Sequence, residues 1–219
     1  MKIEFVSDVA CPWCAVGVHA LERALERLGD ELGPIELAFQ PFELNPDMPP
    51  EGADTVEYLK GKYGIDEERI RANQAHIRER GAALGFTFGE RTRVWNTFDA
   101  HRLLHWAGLE GRQRELKHAL LEAYHGQGRN PGAHDVLIEL AAAVGLDVER
   151  ARAILASDEF APEVRADQYL WLQSGINSVP SVVVNRRHLI QGAQPPEVFE
   201  EALRRIAAAG SEPAAAAPG

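Results

Sequence analysis

The chain has 219 residues and a formal net charge of −10, from 33 acidic and 23 basic residues. This length is sufficient for a full hydrophobic core, so one compact unit that needs no stabilising disulfides is expected. The chain is acidic and has no basic run interleaved with aromatic side chains, so it is a poor match for nucleic acid. No apolar window reaches the length of a membrane span. Nucleic-acid binding and membrane-spanning classes are therefore excluded.

The N-terminus contains neither the apolar segment nor the cleavage site of a secretory signal, so we expect a cytoplasmic protein. The chain has two cysteines, Cys11 and Cys14. Cysteines three positions apart cannot form a disulfide framework, and in a reducing compartment such a pair is typical of redox or metal chemistry. Their spacing is the most informative motif in the sequence.

The first forty residues predict a strand, a helix and a second strand. Residues 2–7 alternate apolar and polar side chains, as a strand does. Residues 35–39, which follow Pro34, form a second short β-like run. Between them, apolar residues recur at helical spacing and stop at Gly29; they are Val16, Val18, Leu21, Leu25 and Leu28. This order predicts a βαβ unit with parallel strands.

The middle of the chain predicts a helical insertion. A loop rich in proline and glycine covers residues 41–52, and Asp54 followed by Glu57 has the pattern of a helix cap. From there to residue 174 the periodicity is helical almost throughout, with apolar side chains spaced for burial between neighbouring helices. We therefore predict an all-α insertion subdomain over residues 51–174.

The C-terminal part returns to β structure. Residues 181–185 and 188–191 are two short β-like runs that predict an antiparallel hairpin. Pro195-Pro196 begins a last helix. Residues 1–50 and 175–210 are thus expected to form one α/β domain around the insertion, and the Ala/Pro-rich residues 211–219 are expected to be a disordered tail.

The cysteine pair, with Pro12 and Trp13 between its members, lies where the first strand gives way to the first helix. Pro12 suits the first helical position, where no N–H is needed, and this makes Cys11 the N-cap. There its sulfur can accept from the backbone N–H groups of Trp13 or Cys14 and faces the positive end of the helix dipole, which favours the thiolate. Cys14, one turn later, is near enough for a disulfide. We predict that Cys11 is the nucleophile and Cys14 the resolving thiol.

Two other interpretations of the pair are half of a zinc site and two buried cysteines without chemistry. Zinc takes four ligands, whereas the chain has no second cysteine pair and His19 is poorly placed to join. Cysteines at a strand-to-helix junction are poor candidates for the core. His101 and His105 are four residues apart, but no glutamate of the zinc-protease type lies between them. We therefore expect redox function and no metal.

Four longer segments carry a family resemblance. They are Ser-Asp-Val-Ala-Cys-Pro-Trp-Cys at 7–14, Pro-Phe-Glu-Leu-Asn-Pro-Asp-Met-Pro at 41–49, Asn-Thr-Phe-Asp-Ala-His-Arg-Leu-Leu-His at 96–105 and Gly-Ala-Gln-Pro at 192–195. With them the chain resembles the DsbA-like oxidoreductases of the FrnE type, which are related to 2-hydroxychromene-2-carboxylate isomerases and kappa-class glutathione transferases. The resemblance implies an α/β architecture, namely a thioredoxin fold with a large all-α helical insertion between an N-terminal βαβ and a C-terminal ββα unit.

The resemblance also implies a second half of the site. In the thioredoxin superfamily a cis-proline loop opposes the cysteine pair, and Val179-Pro180 stands in the matching position before the late β run. The backbone of Val179 would pair with an extended substrate, and Pro12 and Trp13 would contribute to the binding surface, although Trp13 could equally fill space. Ser178 replaces the glycine that is more usual in the family, which leaves the substrate preference open.

The predicted function is thiol-disulfide exchange or isomerisation by a protein-disulfide oxidoreductase. The related isomerases and transferases have a serine where Cys11 stands, so the intact pair favours redox exchange. No bound cofactor is expected; glutathione or another thiol would be the redox partner, and disulfide-containing proteins or small thiols the substrates. The relatives suggest a homodimer. A glutathione-dependent isomerase or transferase of a small aromatic or polyketide-like molecule and a chaperone-like binder are the alternatives, and the direction of exchange stays open.

Overall fold

The computed structural model describes residues 1–211. The strands are β1 (Lys2–Ser7), β2 (Glu36–Pro41), β3 (Ala53–Asp54), β4 (Arg93–Val94), β5 (Ser181–Val184) and β6 (His188–Gln191). The helices are α1 (Pro12–Leu28), α2 (Thr55–Tyr63), α3 (Glu67–Ala82), α4 (Phe98–Leu109), α5 (Gln113–Leu121), α6 (His134–Ala143), α7 (Val148–Leu155), α8 (Ala161–Gln173) and α9 (Pro196–Ser211). The predicted tail, apart from Ser211 at the end of α9, lies outside the described residues.

The main sheet has four strands in the order β2-β1-β5-β6. β1 and β2 are parallel and joined through α1, whereas β5 is antiparallel to β1 and β6 is antiparallel to β5. This βαβ unit followed by a ββα unit is the thioredoxin fold that the sequence predicted. The second strand lies at Glu36–Pro41, slightly later than the predicted 35–39.

The core of the sheet domain forms on the face that α1 covers. β1 is central, so Ile3 and Phe5 have no exposed surface, and Phe5 meets Phe39 edge to face at 5.9 Å between ring centroids. Leu21 of α1 and Phe199 of α9 join the same cluster. Each fully buried large apolar side chain contributes roughly 1.5–3 kcal/mol, so α1 is held firmly against the strand that ends at the cysteine pair.

Helices α2 to α8 form the insertion between β2 and β5, as predicted. Its own core contains apolar side chains that the sequence placed between helices, including Leu103, Leu116, Leu120, Leu137 and Ile154. Asp54 caps α2 by accepting from the N–H groups of Val56 and Glu57 at 2.9 and 3.0 Å. The two-residue strands β3 and β4 pair antiparallel, a feature too short to leave a periodic pattern. No helix within residues 1–211 is both long and apolar enough to cross a bilayer. The division into subdomains at 51 and 174 stays a prediction.

Candidate active site

The start of α1 presents the cysteine pair as the sequence predicted. Cys11 is the N-cap, with φ −88° and ψ 112°, and Pro12 begins the helix. The Cys11 Sγ accepts from the Cys14 N–H at 3.2 Å. An N-cap acceptor satisfies one of the unpaired amides of the first turn, and the same amides and the helix dipole stabilise a negative sulfur. Both thiols are free.

Both cysteines are buried more deeply than a strand-to-helix junction suggested. Cys11 is 4% exposed and Cys14 is 0% exposed, and both belong to the core cluster around α1. The expectation that they avoid the core was wrong, because β1 is a central strand and both cysteines pack into the apolar cluster around α1. Burial raises the pKa of the Cys14 thiol well above its usual value, and the hydrogen bond and charge of Cys11 raise it further.

The proline loop opposes Cys11. The Val179-Pro180 bond is cis. The Cys11 thiol lies 3.8 Å from the Val179 carbonyl oxygen, to which it can donate. Gly17 permits this approach, because a Cβ there would lie 3.0 Å from Pro180 Cγ and 3.3 Å from Phe5 Cζ. The loop and the helix that carries the cysteines are therefore in direct contact.

Substituting Gly17 with valine is expected to push the proline loop away from α1. The enlarged side chain overpacks a contact that is already tight, so the free energy of unfolding should fall by about 1–3 kcal/mol. Urea denaturation measures this loss. Gly61→Ala is the matched control: Gly61 lies in α2 with open space at its Cβ position, and alanine there should stabilise the helix by up to about 1 kcal/mol. Equal, small effects for both variants would contradict the contact.

Asp8 organises the loop before Cys11. It is 0% exposed, and its Oδ1 accepts from the Ala10 N–H at 3.0 Å and the Thr97 hydroxyl at 2.7 Å and lies 3.3 Å from His101 Nε2. Its Oδ2 accepts from the Leu44 N–H at 2.6 Å. Burial alone would raise the pKa of this carboxyl, but the hydrogen bonds and the His101 charge outweigh burial and lower it. Asp8 is therefore an ionised hub.

The contacts of Asp8 give a structural role to two of the segments that carry the family resemblance. The segment at 41–49 reaches Asp8 through Leu44, and the segment at 96–105 reaches it through Thr97 and His101. Asn96 links the two segments directly, since its Nδ2 donates to the Pro46 carbonyl at 3.2 Å. Sequence reasoning missed Asp8 as a site residue; the available signals were its position after β1, three residues before Cys11, and its place in the 7–14 segment that carries the family resemblance.

Two residues of the insertion hold the backbone of the same loop. His125 Nε2 lies 2.8 Å from the Val9 carbonyl oxygen, and Arg91 donates to the Ala10 carbonyl at 3.1 Å. His125 sits in a π-helical turn, Glu122–Gly126, that follows α5. Burial, followed by the charge of Arg91, lowers the pKa of His125 well below its usual value. The imidazole is therefore neutral and donates to the carbonyl.

His125 should make stability depend on pH. Below about pH 6.5 the unfolded chain protonates this histidine but the folded chain does not, so stability falls by up to about 1.4 kcal/mol per pH unit from this group. His125→Gln keeps a donor and removes the titration. The excess stability of the wild type over this variant should shrink as pH falls from 7 to 5, measured by urea denaturation. An excess that is constant over that range would show that His125 titrates normally.

Trp13 faces the insertion. Its ring lies 5.6 Å from the ring of His76 and 5.9 Å from the Arg80 guanidinium, both on α3. Arg80 also donates to the Ala193 carbonyl at 3.0 Å and so ties α3 to the sheet domain. A cleft of about 230 Å³ lies beside the helix start, and its lining includes Pro12, Ile77, Arg78, Phe88, Arg91 and His125. Of the predicted substrate-binding residues, Pro12 lines this cleft, the Val179 carbonyl lies against the Cys11 thiol, and Pro180 lies close to Gly17 of α1.

A thioredoxin-type sheet that carries a CxxC helix start and an opposing cis-proline loop defines the class of this fold. The chain belongs to the DSBA-like thioredoxin domain family, which matches residues 2–204. This membership confirms the DsbA-like resemblance seen in the sequence. YwbO, an uncharacterised protein of Bacillus subtilis (strain 168), is 28% identical over 206 residues, which are 93% of this chain and 96% of YwbO.

Solved structures support the same family. A probable DsbA oxidoreductase from Streptomyces coelicolor is 37% identical, with a TM-score of 0.90 over 97% of this chain and 92% of that protein. The cytosolic disulfide reductase DsbM from Pseudomonas aeruginosa, solved with glutathione, is 18% identical, with a TM-score of 0.66 over 94% of this chain and 98% of DsbM. A 2-hydroxychromene-2-carboxylate isomerase is 13% identical, with a TM-score of 0.74 over 96% of this chain and 98% of the isomerase. The last two similarities concern the fold.

Proposed function

We propose that this protein is a thiol-disulfide oxidoreductase in which Cys11 attacks substrate disulfides and Cys14 resolves the mixed disulfide. The observation that carries the proposal is the Cys14 N–H held on the Cys11 Sγ at the start of α1. A sulfur in that position is stabilised as the thiolate, which is the nucleophile in disulfide exchange. Family membership supports an oxidoreductase or isomerase role at the coarser level.

The proposed exchange has two steps. The Cys11 thiolate attacks one sulfur of the substrate disulfide, forms a Cys11–substrate disulfide and releases the other sulfur as a thiolate. Cys14 then loses its proton and attacks Cys11 Sγ, which forms the Cys11–Cys14 disulfide and releases the second substrate thiolate. The substrate gains two electrons and two protons in total. The reverse sequence oxidises a substrate dithiol.

The resolving step requires a thiolate at a buried position. Burial raises the pKa of Cys14, whereas the Lys117 charge and a hydrogen bond with the Asp8 backbone lower it. These two groups therefore stabilise the Cys14 thiolate during the second step. Asp8 takes part twice, since its carboxylate also fixes the loop that carries Cys11. The raised pKa keeps Cys14 protonated at rest. The Lys117 charge and the hydrogen bond with the Asp8 backbone make its thiolate less unfavourable than it would be in an apolar core without them.

The cleft beside Pro12 favours narrow substrates. Its volume of about 230 Å³ suits an extended peptide segment or a small thiol. The lining contains two arginines, Arg78 and Arg91, and two acids, Asp54 and Glu90, so it offers charges to both the carboxylates and the ammonium of glutathione, the proposed redox partner. In the same proposal Val179 supplies backbone hydrogen bonds to the substrate chain. We also propose a cytoplasmic location for this protein, because the disulfide reductase DsbM, which has the same fold, is cytosolic.

Equilibrating the wild type with defined ratios of reduced to oxidised glutathione tests the proposal. Thiol trapping and mass spectrometry should show one redox transition that interconverts the free thiols and the Cys11–Cys14 disulfide. The midpoint gives the reduction potential and hence the favoured direction. Insulin reduction in the presence of glutathione should be accelerated by the protein. If the pair never forms a disulfide over the full range of ratios, the proposal fails.

The isomerase alternative is tested separately. 2-Hydroxychromene-2-carboxylate is supplied with reduced glutathione, and its conversion is followed by absorbance. No turnover above the protein-free rate is expected, because Cys11 replaces the serine of the related isomerases. Turnover that survives in Cys14→Ser would favour the isomerase.

The chaperone alternative predicts suppression of aggregation that is unchanged when both cysteines are replaced.

A further inference from the structure

A second cavity, of about 450 Å³, lies between the edge strand β2 and the helices α4 and α5. It is lined by neither cysteine and is separate from the cleft beside Pro12. Apolar side chains supply much of its wall, namely Leu37, Phe39, Pro41, Leu104 and Leu109. This volume falls within the range of about 300–1,000 Å³ that is typical of small-molecule sites.

One wall of the cavity is fixed in place by an amide. The Gln113 Oε1 accepts from the Phe39 N–H at 2.8 Å, and its Nε2 donates to the Phe39 carbonyl at 3.0 Å. Gln113 thus pairs with the free edge of β2 as a neighbouring strand would, which prevents that edge from recruiting another chain. The backbone N–H and carbonyl of Phe39 in this wall are therefore already hydrogen-bonded.

Lys117 contributes a buried cation to this cavity. Its side chain is 1% exposed, and its Nζ lies 6.0 Å from the centroid of the Phe39 ring. Among residues 1–211 no carboxylate and no hydrogen-bond acceptor pairs with this ammonium. Burial lowers the pKa of Lys117, while Cys14 and Asp8 raise it through charge. The Lys117 Nζ is not among the fully buried atoms that lack a hydrogen bond, so it keeps a small accessible surface at which a bound anion would offset part of the cost of burying the charge.

The other charges in the lining are already engaged. Glu36 pairs with Lys2 at 3.4 Å, and Glu115 pairs with Arg112 at 3.1 Å. Arg114 is bound to Glu22 at 2.7 Å.

Asp167 is the remaining acid of the lining, and it lies 3.9 Å from the ring of His105. Burial raises the pKa of Asp167. The electrostatic feature left for a ligand in this cavity is the ammonium of Lys117.

We infer that the cavity between β2, α4 and α5 binds a small apolar carboxylate whose anionic group pairs with the ammonium of Lys117. A single cation suits a monoanion better than a phosphate dianion, which requires several donors. The apolar wall suits an aromatic or branched aliphatic body. Leu109, 67% exposed at the end of α4, stands at the rim of the cavity. Neither cysteine lines the cavity, but Lys117 also lowers the pKa of Cys14, so an anion bound there would weaken that effect on the resolving thiol.

Benzoate is a suitable probe, and benzamide is its neutral isostere. In an amide-proton NMR titration of the reduced full-length protein, benzoate should give saturable shifts at residues of β2, α4 and α5. Charge-assisted hydrogen bonds contribute enough that benzamide, and benzoate added to Lys117→Met, should bind roughly 10- to 100-fold more weakly. Lys60→Met, a lysine of α2 outside the cavity, is the matched control and should bind as the wild type does.

Four outcomes would overturn the inference. They are equal binding of benzamide and benzoate, shifts confined to residues around Cys11, absence of saturable shifts, and tighter binding of inorganic phosphate than of benzoate. The benzamide comparison uses the wild type, so it decides the question even if Lys117→Met does not fold. None of these results depends on disulfide exchange, so the proposed function and this inference can fail separately.

Discussion

Replacing Cys11 with serine is expected to reduce insulin-reduction turnover to the rate of the uncatalysed exchange. The serine hydroxyl remains protonated at neutral pH and is no nucleophile toward disulfides, so the first step is lost. Cys14 cannot substitute for it, because it is fully buried and its pKa is raised. Cys11→Ala should behave identically, which separates loss of the sulfur from any effect of the hydroxyl. Turnover near the wild-type rate in either variant would contradict the assignment.

Cys14→Ser is expected to act differently from Cys11→Ser. The first attack is intact, so the protein should accumulate a stable mixed disulfide between Cys11 and the substrate, because no neighbouring thiol resolves it. Turnover should then depend on the concentration of external thiol. Mass spectrometry of the trapped species measures this accumulation. A Cys14→Ser variant with the same trapped fraction as the wild type would show that Cys14 does not resolve the intermediate.

Asp8→Ala is expected to be the most destabilising single change at the site. It leaves the Thr97 hydroxyl, the Leu44 N–H and the imidazole of His101 without their shared acceptor. Breaking a buried ionic network by removing one partner reduces the free energy of unfolding by about 3–5 kcal/mol. Urea denaturation followed by circular dichroism measures the loss. Asp47→Ala, an exposed aspartate of the neighbouring loop, should change stability by less than about 0.5 kcal/mol.

The contribution of Asp8 should also depend on pH in a defined direction. Its pKa in the folded chain is below the unfolded value of about 3.9, so its stabilisation is complete above about pH 5. The stabilisation is lost as the pH falls through the lower, folded pKa. The difference in unfolding free energy between the wild type and Asp8→Ala should therefore narrow as the pH falls below about 4. A difference that widens in acid would contradict an ionised Asp8.

The elements that position the site were predictable because each leaves a local pattern. The apolar spacing before Gly29 predicted α1, and the alternation in residues 2–7 predicted β1. Pro12 at the first helical position predicted the N-cap at Cys11. These patterns arise from neighbours within one or two turns, so they are visible in the chain without tertiary information.

The rest of the site depends on contacts between distant segments. Asp8 binds Thr97 and His101, which are 89 and 93 residues away in the chain. His125 reaches the Val9 carbonyl across 116 residues. Lys117, in a helix of the insertion, affects the pKa of Cys14 through space. The periodicity of a sequence does not predict contacts between distant segments. The burial of both cysteines was underestimated because it also depends on such contacts.

The most direct test of the account is the rate at which each thiol of the reduced wild type is alkylated by iodoacetamide. Peptide mass spectrometry assigns the modification to Cys11 or Cys14 as a function of time and pH. We expect modification of Cys11 alone in the folded protein, with Cys14 unmodified until the chain is unfolded. Alkylation of Cys14 first, or of both thiols at equal rates, would contradict the claim that Cys11 is the thiolate nucleophile.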